Sequence, residues 1–253
     1  MSKTEVEVSP QGVPVARAIP LRGQLKMLAD HMTRSHHDYA ALHHLSEVDA
    51  TEFVQFRHRL VTKIQELGGV QVSFTHLIVK IVAQCLREHP LLNSTLVKDR
   101  ILLLDDVNVG IAVALENGML IVPVIKHADR KPITEIAREA HDIADRARKN
   151  RLTLDDVTGG TFTVTNFGMF AHKSATGAGL WSTPLITVPQ SAILGLGNLY
   201  QKAAVRNGEI VARTMLPTSL TVDRRVINGI PAAQFMNSFY RLIEEPDRVD
   251  WGI

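Results

Sequence analysis

The sequence holds a single cysteine, Cys85, in 253 residues. One thiol excludes an internal disulfide framework and a cysteine-built metal site. Cys85 lies in an apolar run at helical spacing and reads as a small buried hydrophobe. Neither sign of charge dominates, since 28 Lys and Arg face 26 Asp and Glu. The basic residues are scattered rather than striped, so no nucleic acid is expected as a partner. Long hydrophobic runs are missing as well. Leu77–Val82 and Met119–Ile125 fall far short of the roughly 20 apolar residues that span a bilayer, so no membrane partner is expected. Ser2 to Val8 is polar and charged, without the apolar centre of a secretory leader, and a cytoplasmic protein is the expectation. No Gly-x-Ser-x-Gly hydrolase elbow occurs. The glycines at 177 and 179 lack the strand–turn–helix setting of a nucleotide loop. His36-His37 and His43-His44 have no acidic or cysteine partners at ligand spacing, so no metal is expected.

Hydrophobic residues make up 45% of the chain and charged residues 21%, enough apolar surface to bury a sizeable core and too little charge for disorder. Residues 1–18, with Pro10, Gly12 and Pro14 and no periodicity, read as a flexible lead-in, and 19–253 as one domain. Leu21, Leu25, Leu28 and Met32 mark a first helix. Ala41 to Val48 reads as a strand. A helix follows it, with Asp49 as N-cap, Glu52 three residues on, and Phe53, Phe56, Leu60 and Ile64 on one face until Gly68-Gly69. Another helix runs from Ser73 to Glu88, and Asn93 to Leu104 reads as a hairpin. Val107–Leu115 and Met119–Ile125 read as strands joined at Asn117-Gly118. Pro132 opens a helix whose apolar face holds Ile133, Ile136, Ala137, Ala140, Ile143, Ala144 and Ala147; its basic outer face reads as solvated. Thr153–Asp156 is a capped single turn, Thr161–Asn166 a strand, and Gly168 to Thr183 a Gly/Ser/Thr-rich loop. Ser191–Leu196 is a strand, and Ala203–Arg206 pairs with Glu209–Arg213 across Asn207-Gly208. Helices and strands interleave with several hairpins, so the class is α/β with a mixed sheet.

One stretch near the C-terminus organises the rest: Leu220-Thr-Val-Asp-Arg-Arg-Val-Ile-Asn-Gly229. It starts as a strand, with Leu220 and Val222 alternating with Thr221 and Asp223. It turns at Asn228-Gly229, and Pro231 then opens a helical pattern to Ile243. Asp223-Arg-Arg-Val-Ile-Asn-Gly229 resembles the C-terminal signature of the acyltransferase component of 2-oxo-acid dehydrogenase complexes, a family that shares its fold with chloramphenicol acetyltransferase. Other stretches resemble it in order: Ile19-Pro-Leu-Arg-Gly23, Glu47-Val-Asp-Ala-Thr51, Val107–Val113 with Leu120–Ile125, Gly159-Gly-Thr-Phe-Thr-Val-Thr-Asn-Phe-Gly168, and Pro189-Gln-Ser-Ala-Ile-Leu-Gly195. The set covers residues 19 to 246.

The resemblance implies a two-layer α/β sandwich like chloramphenicol acetyltransferase, forming a homotrimer with sites between subunits. It implies coenzyme A as the acyl-bearing co-substrate. Ahead of residue 19 there is room for neither a lipoyl nor a subunit-binding domain, since a folded domain rarely falls below ~40 residues. No Asp-Lys-Ala lipoylation motif occurs, so this chain is expected to carry no lipoyl group. The implied function is that of a stand-alone acyltransferase. It would move an acetyl or other acyl group to a small-molecule hydroxyl or thiol, in the manner of relatives that acetylate tetronate intermediates in natural-product pathways. The implied oxyanion donor is Thr165, and the supporting polar residue is Asn228.

The signature departs from the family at one position, where Arg224 stands in place of the general-base histidine. A guanidinium keeps its proton at any physiological pH and cannot be that base. Arg224 is then a fixed cation, the mark of an inactive structural homologue, or a side chain pointing away while another base acts. All eleven histidines lie at or before His172. The resemblance puts His43 and His44 on the strand that lines the acceptor site, and adjacent strand residues face opposite ways, so at most one of them faces it. His172 in the long loop is a weaker candidate.

Overall fold

A computed structural model describes residues 7–67, 69–115, 120–170 and 179–253. The helices are α1 (Gly23–Asp38), α2 (Thr51–Glu66), α3 (Phe74–Glu88), α4 (Ile133–Arg148), α5 (Leu154–Val157) and α6 (Gly229–Glu244). The strands are β1 (Ala41–Asp49), β2 (Ser94–Val97), β3 (Arg100–Leu103), β4 (Val109–Ile111), β5 (Val113–Ala114), β6 (Leu120–Ile121), β7 (Val124–Ile125), β8 (Phe162–Asn166), β9 (Ala192–Leu196), β10 (Tyr200–Arg206) and β11 (Glu209–Asp223). Residues 7–18 form one isolated bridge, between Val8 and Pro14.

Strand β11 is the axis of a mixed seven-stranded sheet of order β1-β11-β9-β8-β4-β7, with β10 added beside β11. Its first half pairs with β10 across Asn207-Gly208. Both turn residues have positive φ, 52° and 84°, the geometry that suits Asn-Gly in a two-residue hairpin. Its second half lies between β1 and β9, antiparallel to both. β9–β8 and β8–β4 are parallel, and β4–β7 is antiparallel. The sequence pattern separates Glu209–Arg213 from a strand that begins at Leu220. The structure instead gives one strand of 15 residues. Pro217 sits one residue past the last β9 pair, Thr218↔Leu196, and contributes through its carbonyl, which accepts from Gly197.

Helices α2, α3, α4 and α6 form a layer on one face of the sheet, with α6 against β1, α2 and α3, and α3 against α4. Alternation along β8 and β11 sends Phe162, Val164, Leu220 and Val222 into this core, where they join Phe53, Leu77, Phe235 and Phe239. Thr163, Ser219 and Thr221 alternate to the other face, yet they too are buried. That face is covered by the segment before β9: Thr163 Oγ1 donates to Gln190 Oε1 at 2.7 Å and lies 3.2 Å from Thr187 Oγ1. Gly195 leaves room there, since a Cβ at this position would meet Ser219 Oγ at 2.5 Å.

Two further expectations change. Val107–Ile125 is not one plain hairpin: β4 pairs with β7 and β5 with β6, broken at Ala112 and at Val122-Pro123, where Pro123 lacks an N–H to donate. The Asn117-Gly118 turn lies outside the described residues. Asp49 does not cap α2. It ends β1, Ala50 takes the cap position, and the Asp49 carboxylate accepts from Thr51 N while also taking Arg206 and Arg213 from β10 and β11. The two arginines, invisible to a local capping pattern, explain the difference.

Burial alone would raise the Asp49 carboxyl, which is 7% exposed. Hydrogen bonds from Arg213, Thr51 and Arg206 outweigh burial and hold it well below the usual carboxylate range. A folded-state value below the unfolded one means that the stabilisation is complete above the unfolded value, about 3.9, and is lost as pH falls through the folded value. Asp49→Asn is therefore expected to cost about 1–3 kcal/mol at pH 7. That corresponds to a melting point lower by about 2–4 °C per kcal/mol. The gap to wild type should narrow below pH ~4. Thermal denaturation at both pH values checks it, and an equal gap at each would refute the charge-based account.

Candidate active site

β11 ends in a carboxylate that is almost wholly buried: Asp223 is 1% exposed. A buried charge must be paired, and Arg225 does this from two residues away through Nε and Nη2 at 3.0 and 2.7 Å. The Asp223 carbonyl accepts from Val226 N and Ile227 N, closing a tight turn whose two apolar side chains are buried. The Arg225 guanidinium also lies over the Tyr39 ring, 5.4 Å from its centroid. Burial and the neighbouring Asp223 push the Tyr39 hydroxyl up to about 12. This clamp leaves the residue between its two members facing outward. Arg224 is tied by its backbone N–H to Ala40 O, and its exposed side chain makes no hydrogen bond or ion pair among the described residues. Asn228 is exposed too. It precedes α6 without a side-chain cap bond, and its carbonyl accepts from Ala232 N.

Thr165 belongs to a different place. It lies near the end of β8, in one lateral row with Gly195, Ser219 and Leu45. Beside it a cavity of about 600 Å³ opens where β4 has ended and β8 continues. α3 and α4 form its far wall. Ile111, Ile143 and Phe170 give it apolar surface, and Thr75, Asn166 and Arg148 are among its polar members. Asn166 Nδ2 donates to Thr75 Oγ1 at 3.2 Å, joining the end of β8 to the start of α3.

Arg224 and Asn228 are not brought to Thr165 within one chain. Arg224 lies five residues beyond Ser219 along β11 and two strands across from Thr165. At about 3.4 Å per residue and 4.8 Å per strand, that is roughly 20 Å. His43 and His44 lie outside the cavity as well. His43 is exposed on the face of Thr221, whose Oγ1 is 2.9 Å from its Nδ1. His44 is half-buried in the row of Leu220, Leu194 and Val164, toward the helices. The two histidines face opposite ways, as strand geometry requires. His172 lies outside the described residues.

Two other histidines do line the cavity, His76 on α3 and His141 on α4. Their rings meet edge to face, with centroids 5.0 Å apart and planes at 85°. His76 takes part in the N-terminal box of α3: Ser73 Oγ accepts from its N–H, and its Nδ1 accepts from Ser73 N. Burial, with a smaller contribution from His141, lowers His76 to about 4, so this ring is neutral at physiological pH. His141 Nε2 lies 2.8 Å from Gln71 O. Neither ring stands out in the sequence, because α3 brings no family motif with it. A local signal existed for His141: it follows Ala140 and precedes Ala144 by three, at the border of the apolar stripe of α4.

The chain matches the family of 2-oxoacid dehydrogenases acyltransferase (catalytic domain) over residues 14–250. It is 34% identical, over 95% of its length, to the dihydrolipoyllysine-residue acetyltransferase component of the acetoin cleaving system of Bacillus subtilis. It covers 58% of that protein and about half the length of the other curated relatives it matches. The solved dihydrolipoamide acetyltransferase of Azotobacter vinelandii superposes with a TM-score of 0.84 at 29% identity, over 92% of this chain and 93% of that one. Chloramphenicol acetyltransferase superposes at 0.50 with 19% identity, over 85% and 92%, a likeness of fold alone. With its mixed sheet, one-sided helix layer and signature turn at the end of β11, the chain belongs to the family of 2-oxoacid dehydrogenase acyltransferase catalytic domains, in the chloramphenicol acetyltransferase fold.

Proposed function

We propose that this chain transfers an acyl group from a coenzyme A thioester to a thiol or hydroxyl acceptor, in a site shared between neighbouring copies of a homotrimer. Its carrying observation is the separation just described. Thr165 lines a cavity at one end of the sheet, while the signature turn presents the exposed Arg224, unpaired among the described residues, roughly 20 Å away, where a second copy can meet it. In the Azotobacter relative, a serine, a histidine and an asparagine were investigated for their role in catalysis. There the histidine and asparagine stand four positions apart, as Arg224 and Asn228 do here.

In this reading the cavity takes the thiol end of coenzyme A, with apolar walls along the chain of the arm and polar groups for its amides. The Thr165 hydroxyl donates to the oxyanion that forms when the thioester carbonyl is attacked. Arg224 of a neighbouring copy supplies a fixed positive charge, and Asn228 supports the same turn. The relatives' names point to a dihydrolipoyl thiol as acceptor. A free small-molecule hydroxyl or thiol is the acceptor proposed for this chain, and dihydrolipoamide is a suitable first probe for either. The replacement of the signature histidine by Arg224 favours one rival, a catalytically inactive structural homologue of the dehydrogenase core.

Acetyl-CoA incubated with dihydrolipoamide, or with a panel of alcohols and thiols, is expected to yield coenzyme A and the acetylated acceptor, separated by chromatography. No product with any acceptor, together with no coenzyme A binding by calorimetry, would leave only the inactive reading. Thr165→Val is expected to lower turnover by ~10²–10³ with folding intact, as for loss of one oxyanion donor. Wild-type turnover in that variant would make Thr165 a strand residue and nothing more. Arg224→Ala should cost about 1.5–3 kcal/mol of transition-state stabilisation, the size of a hydrogen bond to a charged group. Arg224→Lys should recover part of it, because the charge returns without the planar fork. Light scattering at micromolar concentration should report a trimer; a monomer would overturn the shared site.

A further inference from the structure

We infer that a second cleft, between α1, the strands β6 and β7 and the turns that lead into β8 and β9, binds a small uncharged amide with a branched aliphatic body. No step of the proposed transfer uses this cleft, so the inference stands apart from that reading.

The cleft is where two of the stretches that resemble the family begin. Gly159-Gly160 opens one and Pro189-Gln190 the other, and neither pair lines the cavity beside Thr165. The space measures about 380 Å³, at the small end of ligand sites. Its walls are tied in place from several directions. Ser35 Oγ on α1 donates to Ile186 O at 2.6 Å. His31 lies four residues earlier on the same helix face, and that bond sets it beside Thr187–Gln190. Gln190 N donates to Thr187 O at 2.8 Å, and Thr95 Oγ1 donates to Pro189 O at 2.7 Å.

Gln190 supplies the recognition. It is 5% exposed, and its Oε1 accepts from Thr163 Oγ1 at 2.7 Å. A hydroxyl has one hydrogen, and Thr163 gives its own to Gln190. Across the 3.2 Å contact between the two threonines the hydrogen therefore comes from Thr187. The chain Thr187–Thr163–Gln190 ends at the amide Nε2, whose hydrogens are polarised by the bonds behind it. Nε2 makes no hydrogen bond among the described residues, although a donor on so buried a side chain needs an acceptor. It lies against Gly160. A Cβ there would stand 3.0 Å from Nε2 and 3.1 Å from Val124 Cγ2. Gly160 has no positive φ, so the missing side chain answers to space, and the space it leaves is at the amide nitrogen.

The remaining walls define the ligand. Val122, Val124, Val157 and Val188 give an apolar surface of branched side chains. No carboxylate, ammonium or guanidinium lines the cleft among the described residues, so a charged ligand would lose water and gain no counter-charge. His31 is half-buried and makes no hydrogen bond or ion pair among the described residues. Burial and then Arg34 lower its pKa, so the ring is neutral at physiological pH and offers one N–H and one lone pair. An amide answers both groups. Its carbonyl accepts from Gln190 Nε2, and its N–H donates to the free imidazole nitrogen.

The test titrates the full chain with isovaleramide, followed by saturation-transfer NMR on the ligand. Saturable binding is expected, and isovalerate, the charged compound of the same skeleton, should bind at least about tenfold more weakly. His31→Leu removes one hydrogen-bond partner and should weaken the amide about tenfold. Thr158→Trp, at an exposed position on the cleft wall, should block binding while every polar partner stays. Gln190→Met keeps the length of the side chain, removes the amide and should abolish binding. Thermal denaturation reports whether that variant folds without its bond to Thr163; if it does not, His31→Leu and Thr158→Trp decide. No saturable binding to the wild type overturns the inference. So does isovalerate binding as well as the amide, or amide binding unchanged in both His31→Leu and Thr158→Trp. No acetyl-CoA enters the experiment, so its result does not depend on whether the chain is a transferase.

Discussion

The buried second half of β11 constrains everything around it. Its eight last residues are buried on both faces, so the polar groups there need partners inside the protein, and among the described residues Ser219 Oγ alone of its side chains finds none. The backbone is satisfied by β1 on one side and β9 on the other. Thr218 reaches Ser46 O and Tyr240, and Thr221 meets His43. Asp223 is the costly member, a carboxylate in a place where an unpaired charge would be strongly destabilising. Its pairing with Arg225 fixes the turn, and the turn fixes Arg224 outward. The exposure of the signature position is thus a consequence of burying the residue before it.

An exchange of histidine for arginine at such a position changes chemistry without disturbing structure. Arg224 contributes to the fold through its N–H, which any residue but proline supplies, and its side chain is exposed. The family frame of Asp223, Arg225, Val226 and Ile227 is intact, and each of these residues holds the turn together. Asp223 and Arg225 form the ion pair, and Val226 and Ile227 bury their apolar side chains beneath it. A guanidinium removes proton transfer from this position and adds permanent charge. Charge of this sign favours a thiolate or an oxyanion nearby, so the exchange alters the division of labour in the proposed site and leaves the assembly of the turn as it was.

Much of the fold was legible in the sequence. The stripes of α2 and α4, the capped turn at Thr153, the hairpin within Asn93–Leu104 and the tight turn at Asn207-Gly208 follow from local spacing, and the structure has each of them. The ordered motifs identified the family and its fold. What local reading missed was set by distant partners. Asp49 looked like a helix cap because its arginines lie more than 150 residues away. Glu209–Arg213 and the strand from Leu220 looked separate because the ladders with β10, β1 and β9 that make them continuous cannot be seen from β11 alone. The candidate histidines followed the same rule. His43 and His44 drew notice through the resemblance, whereas the rings that share the cavity of Thr165 come from α3 and α4, which carry none of its motifs.

The cavity itself has a sequence signature, though a negative one. A helix stripe that packs fully on a sheet is filled with large side chains, and α4 begins that way with Ile133 and Ile136 buried. One and two turns further on, the stripe carries Ala140 and Ala144, and both are half-buried because no described residue opposite fills the space they leave. On the facing side β4 stops at Ile111 while β8 runs on to Asn166, and Ala112, Val113 and Ala114 lead the chain out of the sheet. Small residues on a helix thus meet a missing strand edge. Open sheets place ligands beyond the carboxyl ends of parallel strands for the same reason: the ladder ends there and the backbone diverges. The parallel pair β4–β8 creates such an end, and the alanines of α4 keep it open. Thr165 borders this opening because it lies near the end of that ladder, beside the helix stripe that leaves the space.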